Sequence, residues 1–389
     1  MATSAEIIRT KLGIEKLTDF QQQAINDLSE KRDVFVGTKT GSGKTVIYEG
    51  IGILNESVTV VLAPLQSILE EQVERLNKLN ISAIYIKSSQ MHVNDVIAGK
   101  YTFIYRSPEI LIDTIKWREL FRHPLFARKL GLIVVDEAHT ILQWGESHNE
   151  EEPFRECFSR VGELRSLCPA TPVLALTATA SPTNRRKIMK SLCFKMNPCV
   201  IVDSPDRNNI NISVKKVKNN SEVEDSLDFK FSGLKNKGKD FPKHLIFCNT
   251  IKECSIVYCA LVQEFGSTTS LVNMYHSKTP DDVKKFIRKD MEAENGSIRV
   301  LVSTSSAGMG VNFKDLQNIV HFSPPQDMDT FIQQMGRAGR DGKFSQELIL
   351  YKSHKNQMKN LDHEMMKLIT TDSDCRREII AECYLTKKP

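Results

Sequence analysis

Short, continuous apolar runs bounded by turn residues recur through the first half of the chain. They lie at Asp33–Val36, Val58–Ala63, Ile81–Ile86, Tyr101–Tyr105, Leu132–Val135, Val173–Leu176 and Val200–Val202. Runs of this kind are typical of strands that are buried on both faces of a parallel sheet. Between two of them, Leu69, Val73 and Leu76 recur at helical spacing, with glutamates on the opposite face. This alternation of strand and helix predicts an α/β fold.

The same pattern begins again in the second half. The strand candidates there are His244–Cys248, Ser270–Tyr275, Ile298–Val302, Ile319–Phe322 and Leu348–Tyr351. Helical segments are predicted near 251–265, 281–293 and 327–335, and the polar stretch 203–209 is the expected hinge. We therefore expect two tandem α/β domains with parallel sheets, at 1–203 and 204–352, followed by a short helical segment at 353–389.

Composition adds few constraints. Hydrophobic residues make up 40% and charged residues 26% of the 389 residues, which is ordinary for a soluble globular protein. The net charge of +5 permits a polyanionic partner without establishing one. The nine cysteines form no CxxC pair, and we interpret them as free thiols in a reducing compartment. No apolar stretch is long enough to span a bilayer, and the N-terminus lacks a signal pattern. We expect a soluble intracellular protein, nuclear if the source is eukaryotic and otherwise cytoplasmic.

A glycine-rich loop stands between the first strand and a helix. The loop reads Thr40-Gly41-Ser42-Gly43-Lys44-Thr45. In a strand-loop-helix setting, such a loop turns its backbone N–H groups onto a phosphate at the helix N-terminus. We expect Lys44 to lie between the β- and γ-phosphates of ATP, and the Thr45 hydroxyl to bind Mg²⁺. Thr38 replaces the first glycine of the strict pattern, so a plain glycine-rich turn is the alternative.

Two further charged groups complete a candidate hydrolysis site. Asp136 and Glu137 directly follow a buried strand, where an acidic pair can hold Mg²⁺ and orient the attacking water. Later, Gln333 precedes Arg337 and Arg340, which lie three apart on a predicted helical stretch and therefore on one face. Arginines of this kind stabilise the charge that develops on a γ-phosphate. The alternative for Asp136 and Glu137 is a pair of solvated or helix-capping acids, and the alternative for the two arginines is a surface pair without a catalytic role.

Taken together, these motifs resemble those of superfamily 2 helicases, and their details are similar to the RecQ family. The segments that carry the resemblance are Gln21, Ala63-Pro64-Leu65-Gln66-Ser67, Tyr105-Arg106-Ser107-Pro108-Glu109, Asp136-Glu137-Ala138-His139, Gln143-Trp144-Gly145, Ala175-Leu176-Thr177-Ala178-Thr179-Ala180, Phe247-Cys248-Asn249, Gly308-Met309-Gly310-Val311-Asn312 and the run Gln333–Gly342. The resemblance covers roughly Leu12 to Arg377.

This resemblance implies two RecA-like domains that use ATP and Mg²⁺ to move 3′ to 5′ along single-stranded DNA and unwind duplexes, forked DNA included. It places Gln21 and Gly310 at the ATP site. It assigns Trp144, Thr177, Thr179 and Asn249 to nucleic-acid contact or to its coupling with ATP.

The sequence departs from the family pattern in three places. Ile14 and Thr18 stand where an aromatic and an arginine usually meet adenine, so we expect weaker adenine recognition. Residues 146–155 form a longer, more acidic loop than usual. Asp374-Cys375-Arg376-Arg377 resembles the start of the zinc-binding region, but one or two cysteines cannot close a tetrahedral site, so zinc is not expected.

Three functions remain in competition at this point. The leading one is a DNA-stimulated ATPase and helicase. An RNA helicase is disfavoured because Gln143-Trp144-Gly145, and the segments at 63–67, 308–312 and 333–342, resemble the RecQ family in form. A DNA-binding or sensing protein with a weakened motor is motivated by the altered adenine positions and the acidic loop, although the full set of catalytic residues argues against it.

Overall fold

The computed structural model describes most of the chain. The described residues are 3–64, 66–87, 93–145, 156–219, 223, 225–227, 232–266, 270–304, 313, 315–353 and 355–384, with the backbone alone for 66–68, 235, 265, 355 and 356. The chain divides into two compact units, Met1–Ser204 and Pro205–Cys383. Each unit is built around its own sheet.

The N-terminal unit contains a seven-stranded parallel sheet. Its strands are β1 (Val34–Gly37), β2 (Val58–Leu62), β3 (Ala83–Tyr85), β4 (Phe103–Arg106), β5 (Leu130–Val135), β6 (Val173–Thr177) and β7 (Cys199–Val202). They are arranged in the order β3-β4-β2-β5-β6-β1-β7. Strand β1 lies between β6 and β7, with Val34 opposite Leu174 on one side and Cys199 on the other.

The C-terminal unit contains a six-stranded parallel sheet. Its strands are β8 (Ile210–Val217), β9 (Lys243–Phe247), β10 (Val272–Tyr275), β11 (Val300–Ser303), β12 (Leu316–His321) and β13 (Ser345–Lys352). Their order is β10-β11-β9-β12-β13-β8, so that β8 forms one edge.

Helices follow the strands in both units. In the N-terminal unit they are Ser4–Leu12, Asp19–Ser29, Thr45–Asn55, Gln66–Lys78, Val93–Ile97, Pro108–Asp113, Ile115–Arg122, Pro124–Lys129, Thr140–Gly145, Glu163–Leu167 and Pro182–Ser191, with a 3₁₀ turn at Glu156–Phe158. In the C-terminal unit they are Leu234–Lys237, Ile251–Phe265, Asp281–Glu292, Met328–Met335, Lys355–Lys359, His363–Thr370 and Arg376–Tyr384, with a 3₁₀ turn at Gly238–Asp240. Within the described residues, none of these helices has the length and apolar character needed to cross a membrane.

Both sheets are covered on both faces. On β1, Phe35 packs into one apolar cluster while Val34 and Val36 pack into another. On β9, Ile246 and its neighbour Leu245 divide in the same way between two clusters. Because successive side chains of a strand point to opposite faces, both faces require apolar residues. This explains the continuous apolar runs in the sequence.

The predicted fold class is confirmed. Two parallel sheets flanked by helices are present, a short helical segment follows the second sheet, and each strand predicted from an apolar run is found. Strand β8 was missed. Its residues Lys215 and Lys216 interrupt any apolar run, and only the strand ends at Ile210 and Val217 are buried. A strand at a sheet edge does not need two apolar faces. The division into domains at 203 and 352 stays a prediction.

A buried carboxylate ties together the start of β1 and its surroundings. Asp33 is 1% exposed, and its oxygens accept two hydrogen bonds from the Arg165 guanidinium, at 2.8 and 2.7 Å. The same oxygens accept from the backbone N–H of Val173, at the start of β6, and of Lys195, before β7. One side chain therefore aligns the strand that precedes the phosphate loop with both of its neighbours.

We expect Asp33→Ala to lower the free energy of unfolding by about 3–5 kcal/mol, because it leaves Arg165 without its buried counter-charge. Urea unfolding followed by circular dichroism would measure the loss. Asp95→Ala is the control, since Asp95 and Lys100 form an exposed pair whose loss should cost about 1 kcal/mol or less. Equal effects of the two substitutions would contradict this account.

Candidate nucleotide site

The glycine-rich loop lies directly beyond the carboxyl end of β1. Gly41 and Gly43 have φ values of +81° and +82°, in the left-handed region that glycine adopts without strain. The helix Thr45–Asn55 begins immediately after Lys44. Thr38 is buried, and its hydroxyl forms a 2.8 Å hydrogen bond with that of Ser42. The residue that replaces the first glycine of the pattern therefore links the two ends of the loop. The predicted strand-loop-helix setting is therefore present.

The ammonium group of Lys44 lies inside this loop. Its Nζ donates to the carbonyl oxygens of Thr38, at 2.8 Å, and Lys39, at 3.0 Å. These bonds bring a positive charge to the place where a phosphate-binding loop holds its anion. Thr40 precedes the two glycines, and Thr45 is half-buried at the first position of the helix.

Gln21 supports the loop from the side. Its Oε1 accepts from the backbone N–H of Thr18 at 2.9 Å, and its Nε2 donates to the Gly43 carbonyl at 2.9 Å. The side chain is 4% exposed. Both ends of the amide thus bond to protein backbone, so the residue that the family resemblance places at the ATP site also supports the shape of the phosphate loop.

The acidic pair lies on a tight turn directly after β5, as predicted. Glu137 has φ +50°, an unusual value for a residue other than glycine and a local strain that the surroundings must hold. The turn is held by three backbone hydrogen bonds: Asp136 N–H to Leu62, Ala138 N–H to Leu176, and Thr140 N–H to Glu137. Two of these bonds come from neighbouring strands, so the sheet itself imposes the turn.

The environment of Asp136 disfavours its charged form. Although part of its surface reaches solvent, enclosure by protein raises the pKa of this carboxyl group to about 7, and Glu137 adds to the rise while Lys44 opposes it. A cation beside Asp136 would reverse this balance. A metal ion bound here would therefore favour the ionised form of Asp136.

Thr177, the last residue of β6, connects the loop and the acidic turn. Its carbonyl accepts from Thr38 N–H at 3.2 Å. Its hydroxyl donates to the Thr179 carbonyl at 2.8 Å, accepts from Thr179 N–H, and lies 3.1 Å from His139 Nδ1. Because the hydroxyl hydrogen is already used, His139 donates through Nδ1. His139 Nδ1 is also 3.4 Å from Glu137 Oε2. His139 was not predicted from the sequence as a site residue. Its position next to the acidic pair was the signal that could have indicated it.

The residues assigned to nucleic-acid contact differ in accessibility. Thr177 and Thr179 are 0% and 1% exposed, which favours coupling over direct contact. Trp144 is half-buried, with its ring edge-on to Phe158 at 5.3 Å. Asn249 follows β9, and its Nδ2 donates to the Pro324 carbonyl at 2.9 Å. Gly310 and the acidic loop 146–155 lie outside the described residues.

The arginine pair of the C-terminal unit does not share a helical face, and that prediction is wrong. The helix that contains the buried Gln333 ends at Met335. Arg337 and Arg340 follow the helix on successive turns. Gly339, which lies between them, has φ +56°, and this left-handed conformation interrupts a helix. Arg337 is buried, while Arg340 is half-buried and donates through Nε to the Gly336 carbonyl at 3.1 Å. The two guanidinium groups therefore stand in different surroundings.

Comparison with known proteins identifies this arrangement. The model of the DEAD/DEAH box helicase family matches residues 18–188, and that of the helicase conserved C-terminal domain matches residues 227–342. The ATP-dependent DNA helicase RecQ of Pasteurella multocida is 28% identical over 355 residues, which cover 90% of this chain and 52% of that protein. The chain has the helicase core of the RecQ family.

Two other proteins extend the comparison. The bifunctional 3′-5′ exonuclease/ATP-dependent helicase WRN of Mus musculus is 28% identical over 410 residues, covering 99% of this chain and 28% of that protein. The DEAD-box helicase Mss116 bound to ssRNA and UDP-BeF has the same fold, with a TM-score of 0.71 at 18% identity, over 100% of this chain and 81% of the other. The chain thus spans only about half, or less, of the RecQ and WRN relatives.

The residues of this RecQ-type core fit ATP and Mg²⁺. The two left-handed glycines open the loop, and a Cβ atom added at Gly41 would meet nothing within 4 Å. Lys44 supplies a positive charge, and Asp136 and Thr45 supply the oxygen ligands that Mg²⁺ prefers beside nucleotide phosphates.

We expect Gly43→Ala to impair nucleotide selection more than Gly41→Ala does. Both substitutions place a side chain at positive φ, at a cost of about 1–2 kcal/mol. At Gly43, however, the new Cβ would lie 2.6 Å from Gln21 Nε2 and displace that side chain. Competition of ATP and GTP for a fluorescent nucleotide would measure selectivity, and thermal unfolding would measure stability. Identical selectivity in the two variants would contradict a role of Gln21.

Proposed function

We propose that this chain is a nucleic-acid-stimulated ATPase that moves 3′ to 5′ along single-stranded DNA and unwinds forked duplexes. The observation that carries the proposal is the set of contacts at Thr177. This residue bonds to the phosphate loop through Thr38, to the acidic turn through His139, and to the segment that follows through Thr179. In this proposal, a change at any of these three places is transmitted through one residue, by its backbone carbonyl and its hydroxyl.

In this proposal, Lys44 neutralises the β- and γ-phosphates, and the loop N–H groups hold them. Asp136 and Thr45 would hold Mg²⁺, which would supply positive charge beside the phosphates. Glu137 orients the attacking water and accepts its proton. Gln333, Arg337 and Arg340 supply further polar and positive groups for hydrolysis.

In this proposal, His139 couples the binding of nucleic acid to ATP hydrolysis. Its Nδ1 lies between the Thr177 hydroxyl and the Glu137 carboxylate. A displacement of the Thr177–Thr179 segment by bound nucleic acid would alter the orientation of Glu137 through this imidazole. The proposal therefore assigns Thr177 and Thr179 to transmission, and Trp144 and Asn249 to contact with the strand.

We expect single-stranded DNA to stimulate ATP hydrolysis by the wild-type chain, and single-stranded RNA to stimulate it little. Glu137→Gln should retain ATP binding but lose hydrolysis by about 100-fold or more, because it removes the general base. Lys44→Ala should lose both. Phosphate release would be measured for each nucleic acid, and nucleotide binding by fluorescence. Greater stimulation by RNA would identify an RNA helicase, and no hydrolysis above the Lys44→Ala rate would identify a binding protein.

Direction has a separate test. Duplexes with a 3′ tail, a 5′ tail or a fork would be compared in a strand-separation assay. The proposal expects unwinding of the 3′-tailed and forked substrates, and unwinding of the 5′-tailed duplex alone would contradict it.

We expect Thr177→Val to reduce DNA stimulation of the ATPase by about fivefold or more, and to lower the basal rate by a smaller factor. Valine keeps the volume but leaves His139 and Thr179 N–H without their partner. Thr59→Val is the matched control: Thr59 is buried in the same sheet, and its hydroxyl has no hydrogen-bond partner among the described residues. Parallel loss of basal and stimulated rates in Thr177→Val would contradict a coupling role.

A further inference from the structure

The helices beyond the second sheet contact the start of the helix that precedes the arginine pair, and they contact the segment 205–210, which in turn binds the stretch that carries the pair. We define the arginine loop as residues 336–343, the linker as residues 205–210, and the C-terminal segment as residues 355–383. All three belong to the C-terminal unit. The arginine loop follows the helix Met328–Met335, so the position of that helix and the anchoring of the loop together decide where Arg337 and Arg340 stand.

At the start of that helix, one carboxylate caps two helices. Asp362 Oδ2 accepts from Met328 N–H at 3.2 Å, and Oδ1 accepts from Met365 N–H at 2.7 Å. The backbone N–H of Asp362 donates to the Gln326 carbonyl at 2.8 Å. A capping carboxylate satisfies N–H groups that a helix leaves unpaired. The C-terminal segment thus holds the helix at its first residue.

At the other end, the contact runs through the linker. The Arg377 guanidinium forms an ion pair with Asp206 and donates to the carbonyl oxygens of Arg207, at 3.1 Å, and Ile210. Three acceptors on a short stretch of chain match the fixed donor geometry of arginine, which lysine cannot reproduce. Arg377 therefore fixes the conformation of the linker.

The linker in turn holds the arginine loop. The Gly339 carbonyl accepts from the Arg207 guanidinium and, at 2.9 Å, from Asn209 Nδ2. Asn209 Nδ2 also donates to the Lys343 carbonyl at 2.8 Å. The fit is close, because a Cβ atom at Gly339 would lie 2.4 Å from Asn209 Nδ2. The peptide group so held is the one that joins Gly339 to Arg340.

We propose that Arg377 and Asp362 are positioning residues for Arg337 and Arg340, and that the C-terminal segment thereby contributes to ATP hydrolysis without touching the nucleotide. This inference rests on the proposed function. Its physical basis is that transition-state stabilisation depends on donor position within a fraction of an ångström, so that a distant displacement of about 1 Å can reduce the rate up to about 100-fold. ATP binding relies on the phosphate loop and should be spared.

The test compares Arg377→Ala, Arg377→Lys and the control Arg376→Ala in the full chain. Arg376 is the neighbouring residue of the same helix, and its guanidinium donates to the Thr371 carbonyl at 3.3 Å. With saturating single-stranded DNA, Arg377→Ala should lower kcat by about tenfold to 100-fold with KM for ATP within about twofold. Arg377→Lys should be intermediate, and Arg376→Ala should match the wild type. A purely structural role would lower thermal stability with kcat per folded molecule unchanged, and that result would overturn the proposal.

A second measurement does not depend on activity. Hydrogen–deuterium exchange at the Gly339 and Ser345 amides should be about tenfold faster in Arg377→Ala than in Arg376→Ala, because Gly339 N–H bonds to Leu316 and Ser345 N–H to Asn209. Asp362→Ala should accelerate exchange at Met328 in the same way. Unchanged exchange at these amides would overturn the positioning role whatever the ATPase does. A wild-type rate equal to that of Lys44→Ala would instead refute the proposed function and leave the exchange result to decide this inference.

Discussion

The organisation of the nucleotide site depends on the hydrogen bonds of Thr177. A threonine at the end of a central strand offers a carbonyl, a hydroxyl donor and a hydroxyl acceptor within a few ångströms, and all three are in use. Because the residue is fully buried, water cannot replace a lost partner. The loop, the acidic turn and the segment after β6 are therefore fixed relative to one another as a single unit.

This arrangement follows from the parallel sheet. The phosphate loop follows β1, the acidic turn follows β5, and β6 lies between those two strands. Parallel strands bring their carboxyl ends to one edge, so residues separated by more than a hundred positions meet without any special device. The strained Glu137 is tolerated there because backbone bonds from two adjacent strands hold its turn.

Much of this was predictable because the information is local. Apolar runs predicted twelve of the thirteen strands that the structure describes, and the contiguous motifs predicted Lys44, Asp136 and Glu137 at the ends of β1 and β5. Strand β8 was missed because an edge strand carries lysines instead of an apolar run. The arginine pair was misplaced on a helix because the chain turns at Gly339, which has a positive φ and accepts a hydrogen bond from Asn209, a residue distant in sequence. Asp33 and Arg377 act through long-range contacts that no spacing reveals.

The order of strands also determines when the phosphate loop acquires its supports during synthesis. Strand β1 precedes every other strand of the N-terminal unit, but both of its neighbours, β6 and β7, are the last strands of that unit. At ribosomal speeds of about 5–20 residues per second, about 7–27 seconds pass between the synthesis of β1 and that of β6, its first neighbour. Parallel pairing across such a separation is slow to form. Strand β1 therefore lacks both of its sheet neighbours for most of the translation of the N-terminal unit.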